Sequence, residues 1–481
     1  MRIRVIGIAL ACLVVAAAGF EWWRTGRPAQ IVAAALPPVP DLSDAVPALR
    51  ERIVAADAQA RRRFTAQNGL KELARLYQAN GFLNEAMRCY AGLEQLEPSN
   101  PRWYHYHATI LGGYGEIDRA IELWQRVIAL APDYIPPRLR LGDCFLKSDR
   151  IAEATAAYEG VLKISPDNPY AWLNLGRIDM EAKRWDQARV KLEKVVRDTK
   201  FTLGYDLIVH LYEQMGLHAL ATGIRGASKA SGAYLDPPDP WLDELMDVCY
   251  DPYRLGLVAG FAAHTGQVPT ALRLLRRAME LAPKDVTLHF QMGGIAVSQR
   301  DLHGAEEEFQ KCTLLDPDFS DGWAQLSDIQ EQQGERADAE RTLAEGLRQC
   351  PNSPGLHLMR ARRLRAAGRS GEAIAEFKAS IRFRPNEPEA YTDLGSLYIN
   401  LGNTDAGIQE MQKALDADPG DPMALGIMAI HAISTNNEPE ARRWLNRVVI
   451  QPRVPHEQTS RLIAAYQQTF GRDWVPDKPP E

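Results

Sequence analysis

The densest group of side chains able to do chemistry in this chain is acidic: Asp236, Asp239, Asp243, Glu244 and Asp247, interleaved with Pro237, Pro238, Pro240 and Trp241. Carboxylates at this density could hold a divalent cation, but metal loops bring their ligands to one point at set spacing. Here Asp239 reads as an N-cap with Pro240 at the first helical position. The later acids are then spread around a short helix whose Leu242, Leu245, Met246 and Cys249 share one face. The segment is expected to be a packing helix that seals a junction, with a lid over a groove and a metal-binding element as alternatives. Elsewhere the candidates for catalysis are scattered. His105 and His107 stand two apart on a helix, about 200° around its axis, and do not share a metal. The six cysteines form no Cys-x-x-Cys pair and no Cys-x-x-Cys-His haem signature. The sequence holds no glycine-rich phosphate loop, no His-Glu-x-x-His and no Gly-x-Ser-x-Gly elbow. No enzyme activity, cofactor or metal is expected.

Whatever these residues do, a repeating element positions them. A proline recurs every 34 residues, at Pro98, Pro132 and Pro166 and again at Pro283, Pro317, Pro351, Pro385 and Pro419. The gap from Pro166 to Pro283 is three periods of 34 plus 15 residues, so the array continues through it and carries an insertion. With each proline set as residue 32 of a unit, residue 8 is small in all ten regular units; Gly176, Gly293 and Gly395 are examples. Residue 20 is small as well: Ala86, Ala120, Ala154, Ala188, Ala271, Ala305 and Ala339 among others. These are expected to be helix crossings, where only a small side chain lets two backbones approach. Residue 24 is large and apolar throughout, from Tyr90 and Trp124 to Phe377 and Leu445. Gly81, Gly115, Gly266, Gly334, Gly368, Gly402 and Asn436 fall at residue 15, where a first helix ends in a left-handed turn, and the prolines stop the second helix. Each unit is therefore helix, turn, helix, and neighbouring pairs must stack to bury their apolar faces.

The spacing of Trp172, Leu175, Gly176 and Ala188, with Tyr77, Tyr398, Phe309 and Pro317 in other units, resembles the tetratricopeptide repeat. The resemblance runs over residues 67–455, with Lys200 in place of the fourth unit's proline and Pro452 one residue early. It implies an all-α fold, a right-handed superhelical solenoid of about eleven antiparallel helix pairs, whose concave groove binds a protein or peptide. In that geometry residues 2, 5, 9, 12 and 13 of each first helix face inward. The implied groove lining is Lys71, Arg75, His105, Tyr170 and Arg177 in the first block, mildly basic and aromatic, and Phe290, Asp328 and Arg362 in the second, with Asp321, Glu331 and Arg365 beside them. The family's clamp for C-terminal carboxylates is not supported, because Arg75 stands where its asparagine belongs.

The chain then divides as follows: residues 1–27 a signal anchor or signal peptide, 28–42 a Pro- and Ala-rich linker, 43–66 a capping helix, 67–228 four regular units and one degenerate unit, 229–251 the Pro-rich acidic insertion, 252–455 six units, and 456–481 a capping helix with a tail. Arg2 and Arg4 precede an uncharged run from Val5 to Phe20, followed by Trp22 and Trp23. Two readings stand: an uncleaved single-pass anchor in a bacterial inner membrane with an aromatic belt, or a signal peptide cleaved near Ala18. Both put the repeat body in the periplasm. A formal net charge of -6, with 46% hydrophobic and 25% charged residues, describes a folded body without a broad basic surface, so nucleic acid is not expected as a partner. The expected function is a non-enzymatic scaffold for protein partners outside the cytoplasm. The alternative is an accessory subunit of an envelope enzyme or assembly system of the polysaccharide or cytochrome-biogenesis type.

Overall fold

The computed structural model describes residues 26–196, 203–217, 220–221, 224, 237–451 and 453–475. Its helices begin and end where side-chain and backbone chemistry require. Immediately ahead of six first helices stand Asn100, Asn168, Asp251, Asp285, Ser353 and Asp421, and each side chain accepts a backbone N–H from the first turn, which has no partner within the helix. Most of these helices then open on proline, whose missing N–H costs nothing there. At residue 15 the chain turns left-handed. Glycine occupies that position six times, with φ between +74° and +88°, and Gly216 does the same in the degenerate unit. Asp149, Lys183, Arg300 and Asn436 hold the left-handed turn with a side chain present, at φ +54° to +62°.

A second regularity explains the prolines. At six joints the carbonyl of the closing proline points back at residue 4 of the next unit, while the Pro419 carbonyl accepts Arg447 Nη2 at 3.0 Å and residue 4 there is Leu425. Trp172 Nε1 donates to Pro166 at 2.8 Å, Trp323 Nε1 to Pro317 at 2.8 Å, Tyr104 Oη to Pro98 at 3.2 Å and Arg138 Nη2 to Pro132 at 3.2 Å. His289 and His357 set Nε2 at 3.1 and 2.9 Å from the Pro283 and Pro351 carbonyls. The proline thus offers no N–H to extend the helix, and its one remaining backbone group is bonded across the turn.

Among the described residues every regular element is helical, and the chain divides into two compact units: Met1–His218 with Ala230–Leu281, and Ala219–Lys229 with Ala282–Glu481. The first holds α1 (Arg27–Ala35), α2 (Pro47–Ala60), and the antiparallel pairs α3 (Ala66–Ala79) with α4 (Leu83–Leu96), α5 (Pro101–Gly113) with α6 (Ile117–Leu130), α7 (Pro136–Lys147) with α8 (Ile151–Ile164), and α9 (Pro169–Glu181) with α10 (Trp185–Val195). Then come α11 (Leu203–Gln214), the short α12 (Pro240–Asp243) running into a 3-10 turn over Glu244–Val248, and the pair α13 (Pro252–His264) with α14 (Val268–Leu281). The second unit repeats the pairing in α15 (Val286–Ser298) with α16 (Leu302–Leu315), α17 (Ser320–Gln332) with α18 (Arg336–Gln349), α19 (Pro354–Ala366) with α20 (Ser370–Phe383), α21 (Pro388–Asn400) with α22 (Thr404–Ala417), and α23 (Pro422–Ser434) with α24 (Glu438–Ile450). It ends on α25 (His456–Phe470), which buries Leu462 and Tyr466.

Inside each pair, residues 8 and 20 sit at the crossing. Ala86, Ala120, Ala154, Ala188, Ala271 and Ala305 are wholly buried and Ala339 is 1% exposed. Residue 24 fills the space over residue 8: a Cβ on Gly142 would lie 2.4 Å from the Tyr158 ring, on Gly176 2.6 Å from Leu192 Cδ2, and on Gly293 2.6 Å from Phe309 Cε1. On Gly395 it would meet both the Gly407 carbonyl and Met411 Cε at 2.9 Å. Each such side chain, fully buried, contributes about 1.5–3 kcal/mol.

Three sequence expectations change. Residues 27–35 are not a spacer but α1, which buries Val32 and sets Ala35 against Gly92 of α4, where a Cβ would stand 2.4 Å from Ala35 Cβ. Pro37 and Pro38 end it. The capping helix expected over 43–66 is shorter, α2 ending at Ala60: Leu49, Ile53, Ala56 and Ala60 are buried, while Phe64 lies past its end and is 74% exposed. The boundary between units falls after Leu281, one pair later than the insertion. The membrane-segment expectation concerns residues outside those described; among the described residues no helix is long and apolar enough to cross a membrane.

Candidate interaction groove

The acidic insertion lies along the face of the first helices in the first unit. Its entry is fixed by Asp239, which caps α12 by accepting the Leu242 N–H at 3.4 Å. The same buried carboxylate accepts the Tyr134 hydroxyl at 2.5 Å, stands 2.7 Å from His105 Nε2 and has Arg140 Nε 3.5 Å away. Burial alone would raise this carboxyl. The His105 bond and charge, the Tyr134 bond and the Arg140 charge outweigh burial and hold it below the usual aspartate value. Burial, reinforced by the Asp239 charge, pushes the Tyr134 phenol far above its usual value, so it stays a donor.

Trp241 follows and stacks on Tyr134, ring centroids 3.6 Å apart and planes 13° from parallel. Its N–H donates to the Tyr134 hydroxyl oxygen at 3.1 Å, and its carbonyl accepts the Tyr106 hydroxyl at 2.8 Å. The Arg102 guanidinium lies 5.5 Å over the Trp241 ring and pairs with Glu244 at 2.5 Å. Farther on, Leu245, Met246, Val248 and Cys249 are buried. At the exit Asn80, after the last residue of α3, grips the backbone on both sides of Cys249: Nδ2 donates to the Val248 carbonyl at 3.0 Å and Oδ1 accepts the Tyr250 N–H at 2.7 Å. Arg277 Nε donates to the Cys249 carbonyl at 3.1 Å, Arg273 pairs with Asp247, and Arg52 reaches the Tyr250 hydroxyl at 3.3 Å. The segment is a strap that covers α3 and α5 and ties them to α14. Asp239, Glu244 and Asp247 go to separate basic partners, and among the described residues no three His, Cys, Asp or Glu side chains converge on a metal position.

Beside the strap the groove face stays open. A cleft of about 420 Å³ is lined by Thr109, Arg140, Asp143, Lys147, Asn174 and Arg177 with Trp124 at its side. Asp143 accepts the Tyr158 hydroxyl at 2.6 Å. Arg140 forms the border, with the strap's Asp239 on one side and the cleft on the other.

The residues expected in the groove separate into different roles. His105 is wholly buried under the strap, and the insertion supplies the carboxylate it meets. Lys71 is ion-paired with Glu97, which also accepts Gln67 at 2.6 Å and Trp103 Nε1 at 2.8 Å, so it closes the joint between the first two pairs. Arg75 is half-buried beside Tyr90 and Tyr106. Tyr170 packs against the apolar cluster around Tyr158 and Leu175. Arg177 is exposed in the cleft. In the second unit Phe290 is partly buried and packs against the core, 5.6 Å from Phe309 and 5.2 Å from Phe319. Asp328 accepts Gln332 Nε2 one turn later at 2.7 Å. Arg362 pairs with Asp393 at 2.7 Å and Glu389 at 3.3 Å in the next pair. Arg102, at the inward residue 2 of its unit, meets the strap as that rule implies, and Asn80, Tyr106, Tyr134 and Arg140, outside the inward positions, meet it too. Tyr106 and Arg140 stand at residue 6 of their units, one place beyond the residue 5 position that sequence reading chose.

Family models described as tetratricopeptide repeat match residues 107–169, 146–202, 320–363, 358–422 and 392–455. The chain carries tetratricopeptide repeats. Over 276 residues it is 23% identical to DnaJ homolog subfamily C member 3 of Rattus norvegicus, covering 57% of this chain and 48% of that protein. Over 329 residues it is 22% identical to cellulose synthase operon protein C of Pseudomonas fluorescens (strain SBW25), covering 65% of this chain and 25% of that protein. The chain thus spans about half, or a quarter, of the length of these relatives. Among solved structures, yeast Tom70 aligns at 14% identity and a TM-score of 0.41 over 85% of this chain and 96% of that one.

Proposed function

We propose that the protein is a non-enzymatic scaffold that holds extended peptide segments of partner proteins along the groove face of its repeats, and that it works on the extracytoplasmic side of a bacterial membrane. One observation carries the reading: the groove face of the first unit already holds a peptide, the chain's own strap, through an asparagine that grips backbone and side chains that take a carboxylate and an indole. A face that binds peptide in this way has the chemistry to bind another. The extracytoplasmic placement rests on Arg2 and Arg4 ahead of the apolar run Val5–Phe20.

Photo-crosslinkers placed at Arg177 and Arg362 in cells test the binding. Adducts to defined peptide segments at either position support a groove scaffold, and adducts confined to control positions on second helices, such as Val190, refute it. Reporter fusions after Trp23 test the location: activity of an export-dependent reporter supports it, activity of a cytoplasm-dependent one overturns it. The likeness to cellulose synthase operon protein C favours a second reading, an accessory subunit of a polysaccharide assembly system, in which the cross-linked segments belong to the synthesis machinery.

A further inference from the structure

The strap defines what its site recognises. Its Asp239–Glu244 half is held almost entirely by side chains of the repeats: His105, Tyr134 and Arg140 on the carboxylate, Tyr134 on the indole face, Tyr106 on the Trp241 carbonyl and Arg102 on Glu244. Its Leu245–Tyr250 half is held differently, by apolar burial and by Asn80 and Arg277, and it continues directly into α13. The two halves therefore need not move together. The first half also ends beside an open cleft, with Arg140 shared between Asp239 and that cleft, where Lys147 and Arg177 line the wall.

We propose that the Asp239–Glu244 half of the strap is a built-in stand-in for a partner peptide, and that the partner is an extended segment carrying an acidic residue, then proline, then a large aromatic residue. Such a segment seats its carboxylate among His105, Tyr134 and Arg140 and stacks its aromatic ring on Tyr134, while Leu245–Tyr250 stays bound. Residues of the partner ahead of its carboxylate run past Arg140 into the cleft, where acids meet Lys147 and Arg177. Because the strap is part of the chain, it competes at an effective concentration on the order of millimolar, so an incoming peptide binds the native chain weakly until its added cleft contacts outweigh the tether. The inference rests on the groove reading above, but it can fail alone.

The test uses the full chain and a fluorescently labelled, amidated hexapeptide, Asp-Pro-Trp-Leu-Asp-Glu, followed by anisotropy. Trp241→Ser and Asp239→Asn each weaken the strap without touching the repeats, and thermal melting identifies which of the two stays folded. The expected result is at least about tenfold tighter binding to the folded strap variant than to the native chain, by release from the tether. Adding Arg140→Gln to that variant should abolish the gain, and a scrambled hexapeptide should show none. Equal affinity for native and variant chains, a gain indifferent to Arg140→Gln, or equal binding of the scrambled peptide would each overturn the proposal. Partner adducts at Arg177 without any gain in the strap variants would sink this inference and leave the groove scaffold standing.

Discussion

Asp239 remains ionised in the interior because a histidine, a tyrosine and an arginine each favour its charged form over the neutral one. A carboxyl held below its unfolded value, about 3.9, stabilises fully above that pH and stops doing so as pH falls through the folded value. Asp239→Asn should therefore cost roughly 1.5–3 kcal/mol at neutral pH, the range for hydrogen bonds to a charged group. Urea unfolding should show the gap between variant and native chain closing in acid, below about pH 4. Two backbone positions make opposite predictions. Arg300 holds a left-handed turn at φ +62°, which penalises a side chain by roughly 1–2 kcal/mol, while glycine gives back about 0.4–1 kcal/mol through the unfolded chain. Arg300→Gly should thus raise the melting temperature, by roughly 0.5–1 kcal/mol of stability. Gly142→Val should lower it by about 1–3 kcal/mol, because the Tyr158 ring that the new Cβ would meet is itself fully buried and has nowhere to go.

At the scale of elements, the strap combines little regular structure with many specific contacts. Asn80→Ala removes the side chain that bonds both the Val248 carbonyl and the Tyr250 N–H, and a buried backbone group without a partner costs about 1–3 kcal/mol. Hydrogen exchange should speed up at Tyr250 while the amides within α3 keep their protection. The helix pairs were legible because their signals are local and periodic: a small residue at 8 and 20, a large one at 24, a left-handed turn at 15. Asp149, Lys183 and Arg300 escaped that scan, since the turn there is imposed by the pairing of helices and not by glycine. Helix α1 was hidden for another reason: it is only nine residues long, with Pro28 inside it and Pro37 and Pro38 just after it, and its close approach to α4 depends on Gly92 leaving room for Ala35. The strap's position was illegible because Asp239 and His105 are 134 residues apart, and no spacing rule joins them.

For the molecule as a whole, the pair α13 with α14 belongs with the residues before it. The strap supplies the reason, since Arg273 and Arg277 of α14 hold Asp247 and the Cys249 carbonyl while Asn80 holds the neighbouring peptide groups. A fragment 26–281 should consequently melt cooperatively and at higher temperature than 26–251, which keeps the strap but loses its anchor on α14; circular dichroism melts of the two check this. Identical stabilities would mean that the strap is held by the first pairs alone. The bond from residue 4 to the preceding proline carbonyl has its own consequence. Indole, imidazole, phenol and guanidinium all serve as the donor, so the joint asks for a hydrogen-bond donor at one position and a proline at another, both inside the 34-residue period. Removing or duplicating a whole period between two such joints brings an equivalent proline and an equivalent donor together across the new seam. Where these joints stand, around Pro98 to Pro166 and Pro283 to Pro351, the array can therefore change length by whole units without leaving a defect at the join.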